Sequence, residues 1–245
     1  MGDFQKMYGE KLCTAEDAIK KVKPGDWIDW AMFNGKPVEL DKALAARKEE
    51  LSDIKIMAAV TVPPVPEVIM KDPHGEVFTY NDQHFSLLTR IMQDQCGGVF
   101  YQPTLYGESD LYVINGKNDP VKLGTPLRDH FMVQVGPMDK DGYFNWGLHN
   151  SCCYLQAIYA KNIIVEVNKN IPYAYGGSME RIHISQVHAV VEGNDTPLAE
   201  LPVVTPTETD RKIAEHVLAN IKDGDCIQLG IGGMPNVLGK MISQS

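Results

Sequence analysis

Apolar positions recur at helical spacing near the start of the chain. Ala15, Ala18, Ile19 and Val22 fall at i, i+3, i+4 and i+7, which predicts one buried helix face. Thr14-Ala-Glu-Asp17 fits the Ser/Thr-x-x-Asp/Glu start signal. Gly25-Asp26 stops the helix, and the apolar run 27–31 reads as a strand. The same grammar returns near the end, at a constant offset of 199 positions. Ala214, Glu215, Lys222, Gly224, Asp225 and Ile227 repeat Ala15, Glu16, Lys23, Gly25, Asp26 and Ile28. Val217, Leu218 and Ile221 repeat the apolar face, and 226–229 is expected to be a second strand. Thr207-Glu-Thr-Asp210 supplies the second start signal. Each strand leads into a loop ending at Pro37 or Pro235, before another helical pattern.

Between the copies the pattern predicts a helix over 38–50 and a strand over 54–60. Three prolines make 61–66 irregular. Strand and helix signals mix over 78–92, a short strand follows at 97–101, and a loop with Gly and Asp runs on to 118. Strands are expected at 130–135 and 162–167, the second almost wholly apolar as in a buried parallel sheet. Asp139-Lys-Asp141-Gly142 is a turn into a strand, and 152–160 is helical. Segment 178–192 reads as strand with a helical interruption. Pro202 and Pro206 mark 201–206 as a linker. The fold class is α/β, an open, mostly parallel sheet with flanking helices. The expected division is a domain at 1–204 and the truncated opening of a duplicate at 205–245. Ligands of such sheets bind beyond the carboxyl ends of strands, where both loops fall.

The 245 residues carry a net charge of −9, which argues against nucleic acid as partner. Backbone N–H groups hold anionic small ligands without net positive charge. No secretory leader is read at the start, and no run approaches the roughly 20 apolar residues of a membrane span. Cys13, Cys96, Cys152, Cys153 and Cys226 form no Cys-x-x-Cys pair, so a reduced, cytoplasmic setting with all five buried is expected.

One segment stands out chemically. Gln228-Leu229-Gly230-Ile231-Gly232-Gly233-Met234-Pro235 carries a strand into a glycine turn and a helix. Its N–H groups suit a negatively charged ligand. It lacks the final glycine of the dinucleotide fingerprint and the Gly-Lys-Ser/Thr of a phosphate loop. Glu166 interrupts the apolar run 163–167 and reads as a structural carboxylate paired with a Lys or backbone N–H. Seven histidines form no metal spacing, and Tyr143 spoils the calcium-loop pattern that opens at Asp139.

The run Cys226-Ile-Gln-Leu-Gly-Ile-Gly-Gly-Met-Pro-Asn236 resembles the coenzyme A loop of the acetyl-CoA hydrolase/transferase family. Within it the chain is similar to butyryl-CoA:acetate and 4-hydroxybutyrate CoA-transferases. Pro137-Met-Asp-Lys-Asp-Gly-Tyr-Phe-Asn145, Ile163-Ile-Val-Glu-Val-Asn168 with Pro172, and Ile182-His-Ile-Ser185 carry the same resemblance, in order. The resemblance implies a NagB/RpiA/CoA-transferase-like fold of two related halves. It implies that Gly230, Ile231, Gly232, Gly233 and Met234 hold coenzyme A, which is a substrate, with no permanently bound cofactor and no metal. It implies covalent exchange of CoA between short-chain acids through a glutamyl-CoA thioester. The family's glutamate lies in a His-Ser/Thr-Glu-Met-type segment after the glycine loop. No such segment occurs up to Ser245, so no catalytic residue is assigned, and the fragment alone is expected to be inactive. The expected partners are an acyl-CoA, a short carboxylate, the missing C-terminal half in cis or trans, and further copies in a homo-oligomer. A CoA-thioester hydrolase, a non-catalytic CoA-binding assembly subunit, and a nucleotide-binding domain with an unusual glycine loop remain as alternatives.

Overall fold

The computed structural model describes residues 4–109, 128–200 and 204–245. The 201–206 linker and the loop running on to 118 fall partly outside the described residues. The chain divides into two compact units, Met1–Ala199 and Glu200–Ser245.

The first unit is built on seven parallel strands. These are β1 (Trp27–Trp30), β2 (Ile54–Ala58), β3 (Phe78–Asp82), β4 (Val99–Tyr101), β5 (His130–Val135), β7 (Asn162–Val167) and β9 (Ala189–Glu192). Their order is β4-β3-β2-β1-β5-β7-β9. Strands β6 (Tyr143–Asn145) and β8 (Arg181–His183) form a separate antiparallel ribbon. The chain builds outward from β1 in one direction through β4, then returns beside β1 with β5. That reversal makes a topological switch point between β1 and β5, where an α/β sheet opens a crevice.

Side chains alternate between two cores because successive strand residues face opposite ways. Ile28, Trp30, Ile54, Ile56, Phe78 and Tyr80 pack with helices α2 (Ala15–Ala18), α3 (Glu39–Ala46) and α4 (Glu67–Lys71) on one face. Phe131, Val133, Val135, Ile163, Val165 and Val167 pack on the other face with Phe144 and Trp146. Ala157 joins them from α6 (Cys153–Tyr159), and α1 (Phe4–Lys11) lies against the same core. Helix α5 (Leu87–Gln95) starts at Ser86, whose Oγ accepts the Thr89 N–H at 3.1 Å.

Most of the expected elements are present. The mixed signals at 78–92 resolve into β3 followed by α5, and 178–192 into β8, a 3-10 turn at Ile184–Gln186 and β9. The 38–50 helix ends at Ala46, and Lys48–Glu50 tightens into a 3-10 turn. Asp139 organises its turn by accepting the N–H groups of Asp141 and Tyr143, each at 2.9 Å, with Gly142 at φ 83°. Cys153 is buried, but Cys226 is exposed, which corrects the expectation that all five thiols are buried. No helix among the described residues is long and apolar enough to cross a membrane.

The second unit holds α7 (Glu208–Leu218) and α8 (Gly233–Ile242), joined through Ala214, Val237 and Leu238. The expected strand at 226–229 does not form. No neighbouring strand pairs with it among the described residues, and a lone extended segment leaves its ladder donors and acceptors to water.

Candidate functional site

A cavity of about 390 Å³ opens at the carboxyl ends of the strands beside the switch point. Met32 and Phe33 enter it just after β1, Ala59 and Val60 after β2, and Gln83 and His84 after β3. Tyr106, Leu148, His149 and Ser151 close it from later segments. Thr104 and Ser109 complete the described lining, which contains no Lys or Arg.

The walls are held rigidly. Asp82 ends β3 fully buried and collects donors from the loops around it. Its carboxylate accepts the Val60 N–H at 3.1 Å, the His84 N–H at 3.0 Å, and the hydroxyls of Thr61 and Thr89 at 2.8 and 2.7 Å. The Val60 N–H is shared with the His84 carbonyl at 3.0 Å, so the β2 and β3 loops are tied together. The β1 loop is pinned likewise. Asn34 clamps Ala199 in both directions, at 3.1 and 2.7 Å, and Gln134 donates to the Lys36 carbonyl at 2.7 Å. Gly35 packs so closely that a Cβ there would sit 2.6 Å from Ala31 Cβ and 2.8 Å from His149 Cγ. Three non-glycine residues on the walls adopt positive φ: Phe33 at 50°, Val60 at 51° and Ser151 at 37°. Such conformations cost free energy, most for a β-branched residue, and persist where surrounding bonds over-determine them.

His149 is 2 % exposed, and its Nε2 faces the Gln134 carbonyl at 2.9 Å. A carbonyl only accepts, so Nε2 carries the proton. Burial pushes the imidazole down to about 4, and it is uncharged near neutral pH. A cluster of buried ionisable side chains gathers at the starts of α3 and α4. Glu166 accepts the Val38 N–H at 2.9 Å and the Leu40 N–H at 2.9 Å, and so seats the start of α3. Asp41 accepts the Glu67 and Val68 N–H groups at 2.6 and 3.1 Å at the start of α4. Burial raises both carboxyls, Asp41 to about 6. The Lys36 ammonium, 3 % exposed, sits in the field of both, while its own burial pushes it down. Glu166 is thus the structural carboxylate the sequence indicates.

The glycine run behaves differently. Gly232 has φ 145°, and α8 begins at Gly233, so the Gly233 and Met234 N–H groups have no intrahelical partners. Asn236 is the first to donate back, to the Gly232 carbonyl at 3.1 Å. Ile231 is 82 % exposed. The loop precedes a helix as expected, but the strand expected before it is absent. Among the described residues no group of three metal-ligating side chains gathers.

Sequence reasoning placed the β1 loop at a strand end but missed Tyr106, His149 and Ser151. They come from separate segments with no motif spacing, and only the fold brings them together.

The comparisons agree with this geometry. The model of the acetyl-CoA hydrolase/transferase N-terminal domain matches residues 2–202. The chain is 40% identical over 245 residues to the butyryl-CoA:acetate CoA-transferase of Anaerostipes caccae, covering 99% of this chain and 52% of the relative. It is 30% identical over 236 residues to the 4-hydroxybutyrate coenzyme A transferase of Clostridium kluyveri, covering 96% of this chain and 52% of the relative. The chain therefore spans about half the length of the curated relatives it matches. Among solved structures, RipA from Yersinia pestis superposes with a TM-score of 0.83 at 27% identity, over 98% of this chain and 55% of that one. The chain belongs to the acetyl-CoA hydrolase/transferase family and carries its N-terminal domain.

Proposed function

We propose that this chain is the N-terminal part of an acyl-CoA:carboxylate CoA-transferase acting on short-chain acids of the butyryl-CoA and acetate type. The observation that supports this best is a cavity beyond the strand ends, with no Lys or Arg in its described lining, in a family member whose relatives are named CoA-transferases. In the exchange, a glutamate outside these residues attacks the thioester carbonyl and expels the CoA thiolate, leaving a mixed anhydride. The thiolate then attacks the glutamyl carbonyl, which frees the first acid and leaves a glutamyl-CoA thioester. The acceptor carboxylate reverses both steps and departs as the new acyl-CoA.

In this reading the Met32 and Phe33 wall faces the acyl or acceptor group. The loop Gly230, Ile231, Gly232, Gly233 and Met234 holds coenzyme A through backbone N–H groups and steadies the oxyanion. Residues 1–204 are the N-terminal CoA-transferase domain, and 205–245 open a duplicate completed in cis or in trans. The setting is cytoplasmic and the assembly a homo-oligomer.

Initial rates with butyryl-CoA and acetate test the reading. The purified 245-residue chain is expected to show no exchange, and the intact protein that carries it is expected to show it. Exchange by the rigorously purified chain would remove the distant glutamate from the mechanism. Thioester loss by the intact protein without an acceptor would make it a hydrolase. Tighter binding of NAD or ATP than of CoA would end the transferase reading.

A further inference from the structure

We propose that the hydroxyls of Ser151 and Tyr106 grip the carboxylate of the short acid in this cavity and set its acceptor specificity. The proposal rests on the transferase reading for its consequence, not for its geometry. Tyr106 and Ser151 lie 45 positions apart, yet their hydroxyl oxygens meet at 3.0 Å on the cavity wall. Two hydroxyls carry two protons. One serves the bond between them. With Tyr106 as the donor in that bond, Ser151 keeps the other, and its Oγ lies 3.3 Å from the Met32 sulfur and 3.8 Å from the Cys152 sulfur. Both sulfurs are weak acceptors, so a stronger acceptor that reaches this side of the cavity would take the proton. A carboxylate oxygen is a far better partner, and O–H···O⁻ bonds are among the stronger ones.

The backbone supports the same conclusion. Ser151 holds φ at 37°, a conformation that a serine in an ordinary loop avoids. Phe33 and Val60, also at positive φ, line the same cavity.

The remaining described lining decides what else the ligand carries. It holds no Lys or Arg, His149 is uncharged, and His84 is the other imidazole on the wall. A carboxylate gripped by the two hydroxyls is met by neutral donors, which favours weak, exchangeable binding suited to an acid that must also leave. A second carboxylate on the tail would lose hydration with no Lys or Arg among the described lining residues to meet it. The structure thus points to monocarboxylic acids with uncharged tails, and away from dicarboxylic acids.

The test uses Ser151→Gly, which relieves the backbone strain while removing the hydroxyl, and the near-isosteric Tyr106→Phe. In the intact protein each is expected to raise the acceptor KM about tenfold and to leave the acyl-CoA KM within about twofold. Wild type should prefer butyrate to succinate as acceptor by about a hundredfold or more in kcat/KM. If exchange proceeds and neither variant moves the acceptor KM, the hydroxyl grip is wrong while the transferase reading stands. Succinate used as well as butyrate would overturn the specificity. If the intact protein neither exchanges nor binds CoA, the transferase reading falls, and NMR titration of the 245-residue chain with butyrate decides the grip alone. Shifts at the Met32 methyl that Ser151→Gly abolishes support it, and shifts that persist unchanged overturn it.

Discussion

The chain contains one turn twice, and the two copies have different fates. In the first, Gly25 takes φ 84°, the Lys23 N–H donates to Asp26 Oδ2 at 2.8 Å, and the next residues enter β1. In the second, Gly224 takes φ 89° and the Lys222 N–H donates to Asp225 Oδ2 at 2.8 Å. The two turns share this hydrogen bond and the left-handed glycine, and the first is further tied by the Gly25 N–H on the Ser52 carbonyl at 3.0 Å. Beyond it, Ile28 is fully buried between β2 and β5, whereas Ile227 is 46 % exposed and in no strand. Turn chemistry is local and survives alone. A strand is a tertiary object, made by neighbours that satisfy its backbone and cover its side chains.

Hydrogen exchange offers the largest test of that contrast. Amides of β1 are expected to open only with the whole first unit, and those at 226–229 to exchange almost freely. The ratio of protection at Ile28 to that at Ile227 should exceed about a thousandfold. Equal protection in a proven monomer would show that 226–229 belongs to a cooperative core.

A second difference is electrostatic. The raised carboxyls Asp29, Asp41 and Glu166 all lie in the first unit, while exposed Asp210 in the second is lowered by its bonds to Thr207. Asp41 is raised from 3.8 to about 6, so the folded state holds its proton more tightly than the unfolded chain. That contribution is present at low pH and is lost as pH rises through this window. His149 is lowered from 6.5 to about 4, so its contribution is present above 6.5 and lost as pH falls towards 4. Each is worth roughly 3 kcal/mol, with opposite sign over nearly the same range. These two contributions nearly cancel, while Asp29 and Glu166, also raised by burial, tilt the wild type towards greater stability at low pH. Relative to wild type, Asp41→Asn should add a fall in stability on acidification from pH 6.5. His149→Gln should add a fall as pH rises from 4 to 6. Urea melts across pH 4–7 read both, and a variant whose pH dependence matches wild type would break the assignment.

The glycines sharpen the comparison more gently. A Cβ at Gly25 or Gly224 meets nothing within 4 Å, so alanine at either site costs only the left-handed backbone, about 1 kcal/mol. Gly25→Ala should lower the melting of the first unit by that amount. Gly224→Ala should leave that transition unmoved. A shift from both would mean the two units melt as one.

These outcomes also explain what the sequence could reveal. Parallel strands were legible at 130–135 and 162–167 because a buried strand is an apolar run. The Gly-Asp turns were legible because positive φ demands glycine. Segment 226–229 reads as a strand in sequence because Cys226, Ile227 and Leu229 carry strand propensity, but nothing among the described residues pairs with it. The glycine run could be found as a continuous string, but the cavity could not. Ser151 and Tyr106 are ordinary residues in sequence, and Val60 hides its strain behind a strand-forming identity. Their meaning comes from Asp82 and the switch point, which only the assembled sheet provides.

The smallest effect concerns the helix starts, and here the local chemistry runs against the tertiary context. Thr207 and Asp210 form a reciprocal capping box, with Asp210 N–H on the Thr207 hydroxyl at 3.1 Å and Thr207 N–H on Asp210 at 2.8 Å. Thr14 makes only the single bond, to the Asp17 N–H at 3.2 Å. Judged by caps alone, the second helix should be the more sensitive. It begins six residues earlier in the repeat, because Thr14 aligns with Ile213 and not with Thr207. Thr207→Ala should cost about 1 kcal/mol and Thr14→Ala about half of that. The readouts should reverse this order. Ala15, Ala18 and Ile19 bind α2 into the main core, so Thr14→Ala should lower the global midpoint, if slightly. Helix α7 buries only Ala214, so Thr207→Ala should appear as fraying at 208–211 in helix-resolved exchange, with the global midpoint unchanged. A global shift from Thr207→Ala larger than that from Thr14→Ala would show that the second unit, despite its unpaired segment, shares the stability of the first.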